Sequence, residues 1–370
     1  MNRAFSIYLD LVRFGAACLV YLYHSNQRWL VADVLPFAHY GHSSVIVFFV
    51  LSGFVIAYIT DTKERDWISY SASRLSRVYS VVLPALALTL VLDTVGRQLL
   101  PAAYGGYPYD QLAVRSLASL LMLNELWFVS ITSLSNVPYW SITYELWYYV
   151  LFGLVMFLPP RLAIVAVLAM AALLGPKILL LAPIWWAGVL LYRWRRLDTM
   201  PLALAWALVF GSLVLIVGLH AIGWFDAVTA WFKAWLGADR HTQLTFSKFF
   251  VGDYVLGVLV FSNFAGMRRV APQLGAWLLR VERPVRWVAG YTFSLYLLHQ
   301  PLFLFWGAVL RGDNSGKGFW WCVTLLTALS VVGIGYLTEN KRHLLKAAIA
   351  RRLAGLQDLM RRRQREAGAQ

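Results

Sequence analysis

The chain has 370 residues, of which 60% are hydrophobic and 14% charged, with a formal net charge of +15 and a mean hydropathy of +0.61. Soluble domains carry about 25% charged residues, so this composition excludes an ordinary soluble fold and predicts a polytopic membrane protein. The positive charges lie between apolar runs and near the carboxyl end, where they orient membrane proteins, so we expect contact with membrane lipid and no nucleic-acid partner.

Ten apolar runs are long enough to cross a hydrocarbon core of ~30 Å. They predict an all-α, polytopic transmembrane bundle with spans at 6–24, 44–60, 78–96, 138–158, 161–176, 177–193, 201–220, 246–265, 288–310 and 319–338. An eleventh stretch, Leu112–Val129, is interrupted by Arg115, Asn124 and Glu125, and we interpret it as a re-entrant or interfacial helix. This arrangement puts most lysines and arginines on one side and predicts that both termini are cytoplasmic.

The chain divides into a membrane domain, 1–340, and a tail, 341–370, in which leucines alternate with arginines. We expect the tail to form a basic amphipathic helix on the anionic inner leaflet. Cys18 and Cys322 both lie in apolar runs, so we expect neither a disulfide framework nor a metal site.

The first apolar run carries ionisable residues at Asp10, Arg13 and His24. In a helix, Arg13 and His24 are separated by about 16 Å of rise and lie on one stripe, and Asp10 is close enough to pair with Arg13. A charge inside a membrane helix costs at least ~2.5 kcal/mol, so such residues usually face a cavity and mark a functional path. The charges also argue against a cleavable signal peptide.

Glu145 lies about seven residues into a span of opposite direction, so it can approach His24 near the outer surface. An imidazole oriented by a carboxylate is a common general base for activating a hydroxyl. The alternative is that His24 only caps a helix at the membrane interface.

Arg74 and Arg77 are three residues apart at the inner start of the third span. Two guanidinium groups on one helix face suit phosphate oxygens. The alternative is that both only anchor the span on the positive side of the membrane.

Two further polar residues lie in later spans. His299 precedes Pro301, so it either hydrogen-bonds a carbonyl freed by the missing proline amide or has a direct role. Asp253, which we place deep in the eighth span, needs a polar neighbour. His39 and His42 precede the second span, and we interpret them as outer-surface residues.

Five motifs follow one another along the chain: Arg13 with His24, the segment FFVLSGF at 48–54, Arg74-x-x-Arg77 followed by Pro84, WSITYE at 140–145, and Ser294-x-Tyr296-Leu297-x-His299. This series resembles the acyltransferase-3 family of integral membrane proteins. One departure is that Ser44 and Ile46 stand where the family usually has a glycine and an acidic residue.

The resemblance implies a bacterial inner-membrane enzyme that moves an acyl group, often acetyl, from acyl-CoA to a sugar hydroxyl in an exported or envelope glycan. It implies His24 as catalytic base, Arg13 as its companion, Arg74 and Arg77 as contacts for CoA phosphates, and Glu145 as a second carboxylate. The expected partners are a CoA thioester and a glycan, glycolipid or small hydroxylated acceptor, with no metal. Many relatives carry a soluble esterase-like domain after the membrane domain, and residues 341–370 contain no such unit.

The remaining motif and intramembrane residues are further site candidates: Asp10, Ser141, Asp253, Tyr296 and His299. An alternative is a multi-span transporter or flippase in which Asp10, Arg13, Glu145 and Asp253 form a charged pathway. The chain lacks the paired, interrupted-helix symmetry of many transporters. A purely structural scaffold would leave the intramembrane charges without a reason.

Overall fold

The computed structural model describes residues 1–367 and the side chains through Leu359. Over those residues the chain forms seventeen α-helices and no β-strand. In chain order the helices are α1 (Arg3–Ser25), α2 (Gly41–Thr62), α3 (Trp67–Leu99), α4 (Pro101–Tyr104), α5 (Leu112–Leu120), α6 (Trp140–Phe157), α7 (Pro160–Leu174), α8 (Pro176–Arg193), α9 (Leu202–Ala221), α10 (Trp224–Leu236), α11 (Ala238–Gln243), α12 (Phe250–Val270), α13 (Gly275–Arg280), α14 (Glu282–Ala289), α15 (Thr292–Leu310), α16 (Lys317–Thr338) and α17 (Arg342–Ala367).

Seven of the described helices are long and apolar enough to cross a membrane, namely α1, α2, α3, α9, α12, α15 and α16. Helices α6, α7 and α8, of 18, 15 and 18 residues, occupy the three remaining predicted positions. The all-helical class and the presence of several membrane-spanning candidates are therefore confirmed. The count of ten spans and the cytoplasmic placement of both termini stay predictions.

The two ends of the bundle differ in chemistry. Where α1 begins, Arg286 of α14 contacts Asp10 with an N–O distance of 2.5 Å. Beyond the other end of α1, the amide of Ala32 donates to the carbonyl of Asn314, in the loop between α15 and α16, at 2.9 Å. We call the end with Asp10 and Arg286 the basic end. We call the opposite end the histidine end, because His24 lies there.

Local sequence signals fix where several helices start. The Asp66 carboxylate accepts a hydrogen bond from the Ser69 amide at 2.9 Å and so caps the first turn of α3. Gly175 has a φ of +78°, which glycine adopts without strain, and it separates α7 from α8. Pro176 then opens α8, at a position where a missing amide hydrogen costs nothing.

Helices α2 and α8 pack backbone to backbone through two glycines. A Cβ atom on Gly53 would lie 2.0 Å from the Trp185 carbonyl oxygen, and one on Gly188 would lie 2.0 Å from that of Val50. Gly53 belongs to the FFVLSGF segment, so this close approach supplies a structural reason for a glycine there.

The stretch Leu112–Val129 is helical only over α5, and two residues of the remainder adopt left-handed backbone conformations. The polar residues that interrupt the stretch are buried and bound to other helices: Asn124 accepts from Thr143, and Glu125 pairs with Lys177. The helix is therefore half as long as predicted, because these polar side chains leave it to reach α6 and α8.

The predicted tail helix is present as α17 and packs against α3. Half-buried side chains recur four residues apart at Leu345, Ile349, Leu353 and Gln357, which gives the helix one packed face. Arg342, at the start of α17, is exposed and lies at the rim of a cavity in the bundle. Residues 368–370 of the tail lie outside the described part of the chain.

Candidate functional site

A cavity of about 500 Å³ opens between α1, α2, α3, α6 and α15. Ligand-binding clefts usually have volumes of about 300–1,000 Å³, so this one is large enough to hold a substrate. Its wall is apolar along α2, where Phe48 and Val55 are among the lining residues, and polar where α1, α3 and α6 meet.

Three arginines line the basic end of the cavity: Arg13 of α1, Arg77 of α3 and Arg342 of α17. Arg13 Nη2 is 2.9 Å from the Asp10 carboxylate and donates to the Ala289 carbonyl at 3.0 Å. In contrast, the guanidinium groups of Arg77 and Arg342 donate no hydrogen bond to any described residue. This end therefore presents donors that are free for an anionic ligand.

Besides Asp10, which binds Arg13, this end holds the carboxylate of Glu339, just after α16. Its Oε1 accepts the amide of Ser294 at 2.7 Å, so it caps the first turn of α15. The excess of guanidinium groups over carboxylates leaves the mouth positively charged.

Arg74 does not join Arg77 at the cavity. Its side chain is buried, and its Nη2 lies 2.7 and 2.8 Å from the two oxygens of Glu64, just beyond the end of α2. The guanidinium also packs near the rings of Tyr70 and Tyr149. The two arginines predicted as one phosphate site therefore have different surroundings.

Glu145 lines the cavity, but its partners are on α2 and on its own helix α6. Ser52 donates to Oε1 at 2.5 Å, and the Tyr149 hydroxyl donates to the same oxygen. Ser52 also accepts the indole N–H of Trp185 at 3.2 Å. Glu145 is thus held by hydroxyl groups and is not brought into contact with His24, which lacks a place in the cavity wall.

Toward the histidine end, the cavity closes on Ser141 and Tyr296, whose oxygens are 2.6 Å apart. The Tyr296 ring meets the Phe48 ring edge-on, with centroids 5.4 Å apart. Both residues of this hydroxyl pair come from predicted motifs, and the fold brings them together from α6 and α15.

His24 and His299 face each other just beyond that closure. Their ring centroids are 5.3 Å apart, and His299 follows Tyr296 by three residues on α15. His299 is 1% exposed, and its Nε2 atom has no hydrogen-bond partner among the described residues. A buried polar atom left unpaired costs about 1–3 kcal/mol, so this nitrogen needs an explanation.

The remaining charged candidates have partners of their own. Asp10 binds Arg13 and Arg286 at the basic end. Asp253 is buried in the first turn of α12, and its Oδ1 is 2.9 Å from Nε2 of His42. Of the four charges in the transport alternative, Asp253 is therefore held apart from the cavity that Arg13 and Glu145 line.

Several buried polar contacts were missed in the sequence. Lys177 and Glu125 form a fully buried ion pair with an N–O distance of 2.6 Å. His42, expected at the outer surface, binds Asp253, and the neighbouring Ser43 hydroxyl lies 2.8 Å from Nε2 of His220. The sequence feature that could have indicated these contacts is a charged or imidazole side chain at the edge of an apolar run. The same feature also occurs in residues that only anchor a helix at the membrane interface.

A family model described as "Acyltransferase domain" matches residues 6–339, which is nearly the whole chain. The matched region includes most of α1 and all of α2 through α16. It therefore covers all of the cavity wall except the contribution from the residues after Glu339. Comparisons with curated proteins and with solved structures find no match.

Proposed function

The chain belongs to the acyltransferase-3 family, as its motifs predict, and on this premise we propose that it moves an acyl group from acyl-CoA to an acceptor hydroxyl across the membrane. The acyl group is acetyl, and the acceptor is a sugar of an envelope or exported glycan or glycolipid. The protein lies in the bacterial cytoplasmic membrane, with the basic end facing the cytoplasm, where acyl-CoA is made.

The cavity with a basic mouth is the observation that carries this proposal. CoA has a phosphorylated nucleotide at one end and a thioester at the other, joined by a narrow pantetheine arm. Arg77 and Arg342 supply unpaired guanidinium donors at the mouth, and a cavity of about 500 Å³ runs from there toward Tyr296. The positive mouth therefore matches the CoA phosphates, and the cavity beyond it matches the pantetheine arm and the thioester.

Arg342 takes the place in the phosphate site that was predicted for Arg74. Arg74 is bound to a buried carboxylate, and releasing it would leave Glu64 as an uncompensated charge. Its role is to fix the chain between α2 and α3, which positions Arg77 one turn further along α3.

The chemical step is proton abstraction followed by acyl transfer. The ring of His24 takes the proton of the acceptor hydroxyl as that oxygen attacks the thioester carbonyl. The C–S bond then breaks, and the CoA thiolate receives the proton from His24. The ester product and free CoA leave toward opposite sides of the membrane.

The acyl group reaches His24 only if the closure at the inner side of the histidines opens. Tyr296 and Phe48 form that closure, and Tyr296 is three residues from His299 on the same helix. Rotation of these rings is therefore part of the cycle, and it keeps water out of the thioester path between turnovers.

Arg13 and Glu145 organise the donor path. Arg13 lies in the cavity wall at the basic end, where its charge favours the phosphates and the upper pantetheine arm. Glu145 accepts hydroxyl hydrogen bonds midway along the wall, which orders α2 against α6.

CoA binding tests the donor site. Removing a guanidinium that binds phosphate costs about 1.5–3 kcal/mol, so Arg77→Ala is expected to weaken CoA binding by roughly 10-fold or more. Arg161→Ala is the matched control, because Arg161 is exposed at the start of α7 and does not line the cavity. Calorimetry with the purified protein in nanodiscs measures both, and equal dissociation constants for the two variants would remove Arg77 from the site.

Acetyl transfer tests the reaction itself. Purified protein supplied with acetyl-CoA and an extract of envelope glycans is expected to release free CoA and to acetylate a sugar. His24→Ala is expected to abolish both while binding CoA normally. Transfer at the full rate by the purified variant would end this mechanism.

A further inference from the structure

The helix that carries His299 is interrupted by Pro301, which lacks an amide hydrogen. The carbonyl left without its usual helical donor is that of Leu297, four residues earlier. The side-chain amide of Asn136 donates to this carbonyl at 2.8 Å. His299 is therefore not needed to satisfy the proline gap, which removes one of the two explanations that the sequence left open.

The backbone fixes which nitrogen of His299 carries hydrogen. Nδ1 lies 3.0 Å from the Leu295 carbonyl and 2.8 Å from the Tyr296 carbonyl. A carbonyl oxygen only accepts, so Nδ1 is the donor, and in the neutral ring Nε2 then offers a lone pair. That lone pair is buried and has no partner within the described residues.

Three neighbouring side chains could supply the missing hydrogen: Tyr21, Tyr296 and His24, whose rings lie within 6.2 Å of the His299 ring. The Tyr21 hydroxyl already donates to Thr324 at 2.7 Å. The Tyr296 hydroxyl already bonds to Ser141. The His24 ring has no hydrogen bond to another described side chain or carbonyl, so it is the group left over.

The ring separation suits a bond between the two histidines. Two imidazoles that share an N–H···N hydrogen bond have centroids ~5 Å apart, since the bond itself is about 3 Å long. The observed separation is 5.3 Å. No hydrogen bond joins the two rings in the described structure, so the His24 ring has to rotate to direct one of its N–H groups at Nε2 of His299.

We propose that His299 is the positioning residue for His24: its Nε2 accepts the N–H of one ring nitrogen, so that the other nitrogen presents its lone pair to the acceptor hydroxyl. This rests on the proposed acyl transfer and names what orients its base. Such a hydrogen bond sets the tautomer and the orientation of a catalytic imidazole. His299 therefore orients His24, a role that the spacing predicted for Glu145.

Two amide substitutions separate this role from a structural one. In His299→Gln the side-chain oxygen reaches the place of Nε2 and keeps the acceptor, whereas in His299→Asn the amide stands in place of Nδ1 and keeps the donor to the backbone carbonyls. We expect His299→Gln to retain kcat within about 10-fold and His299→Asn to lose about 100-fold or more, with an unchanged KM for acetyl-CoA. A purely structural role predicts the opposite order, and that result would overturn the proposal.

A second measurement does not depend on activity. Solid-state NMR of the wild-type protein with labelled histidine rings is expected to show one tautomer for His24, assigned by its loss in His24→Ala. In His299→Asn the same signal is expected to split between two tautomers, and an unchanged signal would refute the positioning role. If the wild-type protein shows one fixed His24 tautomer but transfers no acyl group, the proposed function is refuted. The positioning of His24 by His299 then still holds.

Discussion

The buried ion pair between Lys177 and Glu125 offers the sharpest test of how the irregular segment after α5 is held. Lys177 Nζ lies 2.6 Å from Glu125 Oε2, 2.7 Å from the Val129 carbonyl and 3.3 Å from the Thr245 hydroxyl. The two charged side chains are 0% and 1% exposed. All three ammonium hydrogens are therefore used inside the protein.

Lys177→Met removes the ammonium and leaves the Glu125 carboxylate with uncharged hydroxyl partners, of which Ser130 donates to it at 2.7 Å. Stripping one partner from a buried ion pair costs about 3–5 kcal/mol, so we expect the free energy of unfolding to fall by that amount. The double variant Lys177→Met/Glu125→Gln removes the stranded charge and is expected to recover most of the loss. Lys233→Met is the control, since Lys233 is exposed on α10.

Denaturant unfolding in detergent, followed by tryptophan fluorescence, measures the four proteins side by side. If Lys177→Met unfolds like the wild type, the ion pair does not stabilise the fold. If the double variant is as unstable as the single one, the cost does not come from the unpaired charge.

Three further predictions concern the bundle around the cavity. Arg74→Ala is expected to destabilise the protein by about 3–5 kcal/mol in the same unfolding assay, because it leaves the buried Glu64 carboxylate unpaired. The correctly folded variant should bind CoA with a dissociation constant within a few-fold of the wild-type value in calorimetry. Gly53→Ala is expected to prevent assembly of α2 against α8, since its Cβ would lie 2.0 Å from a backbone oxygen, whereas Gly211→Ala meets nothing within 4 Å and should give a normal monodisperse peak in size-exclusion chromatography. Tyr296→Phe is expected to lower the free energy of unfolding by about 1 kcal/mol, because the Ser141 hydroxyl loses one of its two partners and keeps only the Pro138 carbonyl. An unchanged denaturant titration would contradict this bond.

Much of the fold could be predicted because apolar runs of sufficient length have few alternatives to a helix in a membrane. All ten apolar runs that were predicted as spans contain a helix in the structure, including α6 and α8. The stretch around Asn124 and Glu125 could not be predicted, because its conformation depends on α6 and α8, which lie far away in the sequence.

The sequence predicted most of the residues that line the candidate site, but it predicted fewer of the contacts between them. Arg13, Arg77, Glu145, Ser141 and Tyr296 do line one cavity, as expected from intramembrane polar residues that need a polar environment.

The predicted contacts were wrong where two residues lie on the same face of a helix but meet different residues of the neighbouring helices. Arg74 and Arg77 look equivalent by spacing, yet the connection after α2 brings Glu64 to only one of them. His24 was expected beside Glu145, but α15 brings His299 to it instead. Spacing along one helix fixes a face, and only the packing of the other helices decides what that face meets.

The central claim is that the donor enters from the basic end and lies along the cavity. The most direct measurement is an electron cryo-microscopy structure of the protein in nanodiscs with bound CoA. We expect phosphate oxygens at ~3 Å from Arg77 and Arg342 and the pantetheine arm running past Glu145 toward Tyr296. CoA bound at the histidine end, or outside the cavity altogether, would contradict it.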